Sequence, residues 1–188
     1  MGRWQPNACG RLAQAALELF GERGYEQTTV ADIAGRAGLT ERTYFRHYPD
    51  KCEVMFGKAG ELEQRFASAV AEAPDSLAPI DAIAAGLDAV SREFAGRREH
   101  RERQAVIAAH PELRERELTK YAAMSAALAG ALHRRGVAEP TATLAAEAGI
   151  AVFKVGFARW LAAAEEREIS EVMRESLDEL QAVTAGHG

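Results

Sequence analysis

The stretch Gly24–Lys51, GYEQTTVADIAGRAGLTERTYFRHYPDK, decides how the rest of the chain is read. Thr29-Val30-Ala31-Asp32 has the form of a capping box, in which the threonine hydroxyl accepts from a backbone amide and the acid three residues on reaches back. A helix is predicted to follow, with Val30, Ile33, Ala34 and Ala37 turned inward. It has room for only about two turns, because Gly38 stands where a left-handed C-terminal residue is wanted and Thr40 is already a good N-cap. The helix after Thr40 must end near Tyr48, since Pro49 keeps the residue before it out of the helical region and offers no N–H. Two short helices joined by a tight turn are therefore expected.

Upstream, Leu12, Ala16, Leu19 and Phe20 recur at helical spacing, which predicts a first helix over about 8–23. Downstream, Asp50 with Glu53 is expected to cap a fourth helix. Val54, Met55, Leu62, Phe66 and Val70 predict that it runs unbroken from Lys51 to about Ala73. Further helices are expected at about 79–95, 98–109, 111–135, 141–164 and 168–184, bounded mostly by Pro74, Gly96, Pro111, Gly136 and Pro140. Ala, Leu, Glu and Arg dominate while aromatic and β-branched residues are sparse, so the fold class is all-α. At 188 residues and 47% hydrophobic content the chain can fill a core. We divide it at residue 58, into an N-terminal head over 1–58 and a helical second part over 59–188.

The net charge of −5 is unevenly placed: residues 1–58 carry +1 and the remainder −6. A near-neutral head can bind DNA if its cations cluster on one face, but this balance argues against a charge-dominated DNA coater. Cys9 and Cys52 have no CxxC or Cys/His pattern near them, so neither a disulfide framework nor a metal site is expected. No cofactor is expected either. No run approaches the ~20 apolar residues of a membrane span, and Met1–Gly10 lacks a secretory pattern, which points to a cytoplasmic protein. Five histidines without HExxH spacing or a nucleophile–base–acid pattern argue against an enzyme.

Two short helices across a tight turn suit a helix-turn-helix, whose second helix enters the major groove with its N-terminal residues against base edges. The exposed positions after Thr40 are Glu41, Arg42, Thr43 and, one turn on, Phe45 and Arg46. Arg42 and Arg46 can each donate twice to guanine, Glu41 can accept from cytosine, and Phe45 can rest on a thymine methyl. Thr29 opens the preceding helix, where free N–H groups favour a phosphate. A rival reading is a protein-interaction module whose helix-turn-helix no longer reads DNA.

With its Thr-Thr-Val start to the second helix, Ala-Gly-Leu-Thr turn, Thr-aromatic-aromatic-Arg-His-aromatic third helix and Pro-Asp-Lys exit, this stretch resembles the tetracycline-repressor (TetR) family. The resemblance implies that His47 and Lys51 contact the DNA backbone, with Thr28 a weaker candidate, and that Tyr44 and Tyr48 pack inward. Phe45 stands where the family more often has tyrosine. Arg3 with Trp4 is read as a minor-groove arm or as a tail.

The resemblance also implies that the second part binds a small-molecule effector and forms a homodimer through the last two helices. Leu144, Ala148, Ala151, Val155 and Ala162 form a small-residue stripe, and Ile169, Val172, Met173, Leu177 and Leu180 a broad apolar face; these suit a dimer interface or an intramolecular core. Phe66, Ile83, Leu87, Phe94, Ile107, Tyr121, Met124, Phe153, Phe157 and Trp160 are candidate pocket residues for a hydrophobic or amphipathic effector. Arg97, Arg98, Arg101 and Arg103, interleaved with Glu99 and Glu102, read as a solvated face.

Overall fold

The computed structural model describes residues 7–94 and 96–185, and among them every regular element is helical. Arg3 and Trp4 lie outside the described residues. The first helix, α1 (Ala8–Arg23), buries Leu12, Ala16, Leu19 and Phe20. The capping box of α2 (Val30–Arg36) is formed in full: Thr29 Oγ1 accepts from Asp32 N at 3.1 Å, and Asp32 Oδ2 accepts from Thr29 N at 2.9 Å. The Thr29 hydroxyl, which donates to Asp32 Oδ2 at 2.6 Å, and then the Thr29 N–H hold the Asp32 carboxyl below the usual range. Gly38, at φ 64°, closes α2: its N–H donates to Gly35 C=O and that of Leu39 to Ala34 C=O, a Schellman turn. Arg11 adds a guanidinium to the carbonyl of Ala37. Thr40 then caps α3 (Glu41–His47), and Tyr48 leaves the helix with extended backbone before Pro49.

The expected unbroken helix from Lys51 does not form. Asp50 Oδ1 does accept from Glu53 N at 2.9 Å, but the cap starts only a 3-10 turn, Glu53–Met55. The chain then passes Gly57 and begins α4 at Ala59 (Ala59–Glu72). Val54 and Met55 are buried by this turn, so their apolar character reflected packing and not helical continuation. At Gly57, within the break, the backbone passes close to the Tyr48 ring: a Cβ there would stand 2.6 Å from its Cε1.

The remaining helices are α5 (Pro79–Ser91), α6 (Arg97–Ala109), α7 (Pro111–Arg134), α8 (Thr141–Ala162) and α9 (Ile169–Thr184). The described residues divide into two compact units. One holds the chain up to Lys58 together with Glu99–Leu118; the other holds Ala59–Arg98 and the chain from Thr119 onward. The division therefore falls at 58 and again within α6 and α7, which a cut by chain order did not provide for.

In the second unit α5 packs against α4, α8 and α9, around Phe66, Ile83, Leu87, Leu128, Ile150, Phe153 and Met173. The apolar face of α9 lies inside this core: Ile169, Val172, Met173 and Leu177 are buried, so they serve the monomer and are not free to form a dimer interface. The α8 stripe is different, with Leu144 66% and Val155 52% exposed and Ala151 and Ala162 also at the surface. By length and composition α8 could cross a membrane, yet its other face, including Ala142, Ala146, Ile150 and Phe153, is buried within the unit.

Replacing Gly57 with alanine is expected to lower stability. Gly57 lies outside any helix, the Tyr48 ring over it is held at its hydroxyl, and overpacking of this kind costs about 1–3 kcal/mol. A lower urea midpoint for Gly57→Ala with an unchanged slope would bear this out; a higher midpoint would refute it.

Candidate nucleic-acid interface

The side chains of α3 are sorted sharply between its two faces. Tyr44 is fully buried, with its hydroxyl donating to the Asp50 carbonyl at 3.1 Å. Tyr48 is buried beside it, ring centroids 5.5 Å apart, and donates to the Cys9 carbonyl at 3.1 Å. Burial pushes both phenols up, Tyr48 to about 12, so both remain neutral donors. The packing roles expected of these two tyrosines are thus met.

The opposite face carries Glu41, Arg42, Phe45 and Arg46 into solvent. Phe45 is 53% exposed, a large apolar ring with no core to join. Arg42 and Arg46 have no hydrogen-bond or ion-pair partner among the described residues. At the start of the helix the hydroxyls of Thr40 and Thr43 meet at 3.1 Å, and Thr29 stands exposed at the head of α2.

Three residues expected at the DNA backbone are turned inward. Thr28 is 1% exposed and donates to the Gly24 carbonyl at 2.9 Å, so its hydroxyl tightens the turn between α1 and α2 and cannot meet a phosphate. Lys51 Nζ donates to the Tyr25 carbonyl at 2.9 Å and lies 3.9 Å from the Tyr25 ring centroid. His47 directs Nδ1 to Cys9 Sγ at 3.2 Å, while its Nε2 is buried with no partner. A backbone contact from Lys51 or His47 requires that side chain to leave its present partner.

What stands behind α3 left no signal in the residue pattern. The Arg116 guanidinium, near the start of α7, binds Asp50 at 2.7 Å and Glu53 at 3.2 Å, and the Asp50 hydrogen bond, helped by the charges of Asp50 and Glu53, holds it more firmly charged. Asp50 thereby serves α3 through its carbonyl, the 3-10 turn through one carboxylate oxygen and α7 through the other. Arg103 also departs from the solvated face expected of the α6 arginines: it is half-buried in this unit, and burial lowers its pKa against the favourable charge of Glu99.

In the second unit, Phe66, Ile83, Leu87, Met124, Phe153 and Trp160 lie in the core, with Phe94, Tyr121 and Phe157 packed on it half-buried. Phe94 has its ring 5.4 Å from Phe157 and 5.9 Å from Phe153. Ile107 does not join them; it is buried in the first unit, within Glu99–Leu118. A separate polar cleft of about 220 Å³ is lined by Asp88, Ser91, Arg92, Ser170 and Arg174. Among the described residues, no three His, Cys, Asp or Glu side chains gather as a metal site.

A short helix anchored by its buried face, entered through a Schellman turn and presenting unpaired arginines, is the reading element of a helix-turn-helix DNA-binding protein. The chain belongs to the tetR family of bacterial regulatory proteins. The N-terminal domain of that family matches residues 12–56, and the MftR C-terminal domain matches residues 77–185, more than half of the chain. The Mycobacterium tuberculosis protein MftR, whose name assigns it to regulation of mycofactocin biosynthesis, is 28% identical over 75% of this chain and 72% of its own length. The transcriptional regulator TcmR of Streptomyces glaucescens is 36% identical over 43% of this chain, a match spanning only 35% of TcmR. The fold is shared with SmeT, solved as a triclosan complex, at a TM-score of 0.64 and 19% identity over 94% of this chain and 90% of SmeT.

Removing the Tyr44 hydroxyl should cost about 1 kcal/mol of stability, the usual net worth of one internal hydrogen bond. The neighbouring exposed ring should matter little, with Phe45→Ala within about 0.5 kcal/mol of the parent. Equilibrium unfolding in urea distinguishes the two, and equal effects from Tyr44→Phe and Phe45→Ala would contradict the sorting of the faces.

Proposed function

We propose that this chain is a dimeric, effector-responsive transcriptional regulator of the cytoplasm, acting as a repressor on a palindromic operator. The observation that carries this reading is the outward face of α3, where Arg42, Phe45 and Arg46 stand exposed on a helix whose inward face is locked. Arg42 and Arg46 read guanines, Phe45 packs on a thymine methyl, and Glu41, Thr40, Thr43 and Thr29 supply polar and phosphate contacts. Lys51 and His47 reach the backbone only by exchanging their internal partners for phosphate. DNA reading resides in residues 1–58, braced by Glu99–Leu118, and effector binding with dimerisation in residues 59–188.

One α3 helix reads too few base pairs, so two copies must act together. The exposed side of α8, with Leu144, Ala148, Ala151, Val155 and Ala162, is the surface through which they pair, because small side chains admit close helix approach. The effector is a hydrophobic or amphipathic small molecule lodged among Phe94, Tyr121, Phe153, Phe157 and Trp160, whose rings offer a wide apolar wall with edges near the surface. SmeT, with the same fold, is a complex with triclosan, a small organic ligand. An effector releases DNA only by the difference between its affinities for the DNA-competent and DNA-incompetent forms.

Fluorescence anisotropy on DNA upstream of the chain's own gene, against a scrambled duplex across a salt series, should give a specificity ratio of ~10³ or more. In the same assay Arg42→Ala should cost ~1–3 kcal/mol and relax the base preference at one position. Unchanged affinity and preference in that variant would favour an interaction module over a DNA reader. For the pairing surface, Leu144→Glu combined with Val155→Glu should convert a dimer to a folded monomer by light scattering; a dimer that survives both charges would move the interface elsewhere.

A further inference from the structure

Cys9 stands in the first turn of α1 and is exposed. Its Sγ lies 3.2 Å from Nδ1 of His47, the last residue of α3, and its carbonyl accepts the Tyr48 hydroxyl at 3.1 Å. Two consecutive residues at the end of the reading helix are thus tied to one cysteine. The His47 ring keeps this position although its Nε2 is buried without a partner. A buried polar atom left unsatisfied is rare enough in folded proteins to need a reason, and among the described residues the contact with sulfur is the only hydrogen bond the ring makes.

From this cluster we propose that Cys9 and His47 form a modification site, at which a soft carbon electrophile of the α,β-unsaturated carbonyl class adds to the thiol and loosens α3. The exposed sulfur supplies the nucleophile and the imidazole, already within hydrogen-bond distance, supplies the proton acceptor. In the addition the S–H bond breaks and a bond forms from sulfur to the β-carbon. The alkene π pair moves toward the carbonyl as an enolate, and the proton taken by Nδ1 returns through water to the α-carbon, with no net oxidation or reduction. An oxidative switch fits less well, because it wants a resolving thiol. The other cysteine, Cys52, is free and engaged 2.8 Å from the Tyr25 hydroxyl.

The adduct severs the Sγ–Nδ1 contact and crowds the carbonyl that holds Tyr48, so the C-terminal end of α3 loses both ties. His47, freed from sulfur, can then turn Nε2 to water. The consequence for DNA rests on the DNA-reading function proposed above; the chemistry at Cys9 does not.

The probe is acrylamide, a slow acceptor of this class, applied to the intact protein and followed by mass spectrometry with peptide mapping. Cys9 should react at least tenfold faster than Cys52 and than a free peptide of residues 7–13, and His47→Asn should remove most of that advantage. In the singly alkylated protein, amide hydrogen exchange over 41–48 should speed at least tenfold, a readout that needs no DNA. Acrylamide should leave the exchange and operator affinity of Cys9→Ser at that variant's own untreated values, while the alkylated parent should bind its operator at least tenfold more weakly than the untreated parent. A Cys9 no faster than the peptide, a rate untouched by His47→Asn, or an alkylated protein with parental exchange over α3 would each overturn the proposal. If the unmodified protein reads no DNA while rates and exchange behave as stated, the modification site stands and the DNA-reading function falls.

Discussion

A seven-residue helix cannot persist alone in water, because nucleation is costly and too few internal hydrogen bonds follow it. What this protein can do with Arg42 and Arg46 therefore depends on the burial of Tyr44. That ring has no exposed surface, its hydroxyl is satisfied by the Asp50 carbonyl, and Tyr48 one turn later extends the same buried face. With 44 and 48 turned inward, helical periodicity leaves 42, 45 and 46 no direction but outward. The orientation of the reading face is a consequence of where two phenols can be buried and still keep their hydrogen bonds.

Asp50 carries this constraint to the rest of the first unit. It accepts from Tyr44, caps the 3-10 turn at Glu53 and holds Arg116, so α3, the turn and the start of α7 share one residue. Exposed ion pairs are individually weak. This one matters because its carboxylate is already oriented by a backbone hydrogen bond and its guanidinium spans two acids. The segment Glu99–Leu118, which brings Arg116, Ile107 and the half-buried Arg103, groups with the head for the same reason.

The second unit shows how similar apolar patterns reach different ends. The face of α9 and the stripe of α8 both repeat at helical spacing, yet Val172, Met173 and Leu177 are in the core while Leu144 and Val155 stand in water. Periodicity says which residues share a face; it does not say which face the neighbouring helices cover. Here α5 and α9 take one side of α8 and leave the other open.

Local chemistry made much of this protein legible. The capping box at Thr29, the Schellman glycine at 38, the cap at Thr40 and the stop at Pro49 act over three or four residues, so α1, α2 and α3 begin and end where the residues themselves require. The failures lie where distant parts meet. Val54 and Met55 read as a continuing helix because apolar residues buried by a 3-10 turn show the same pattern as a helical face. Thr28, Lys51 and His47 stand at plausible DNA-facing positions, and the residue pattern does not show that the Gly24 carbonyl, the Tyr25 carbonyl and ring, and the Cys9 thiol hold each of them here. The sequence by itself determined the all-helical fold and the helix-turn-helix, since caps, turns and periodicity are short-range. Only the tertiary structure decided which polar groups remain free to meet a ligand, because a hydrogen-bond donor can be spent on any partner the fold brings within about 3 Å.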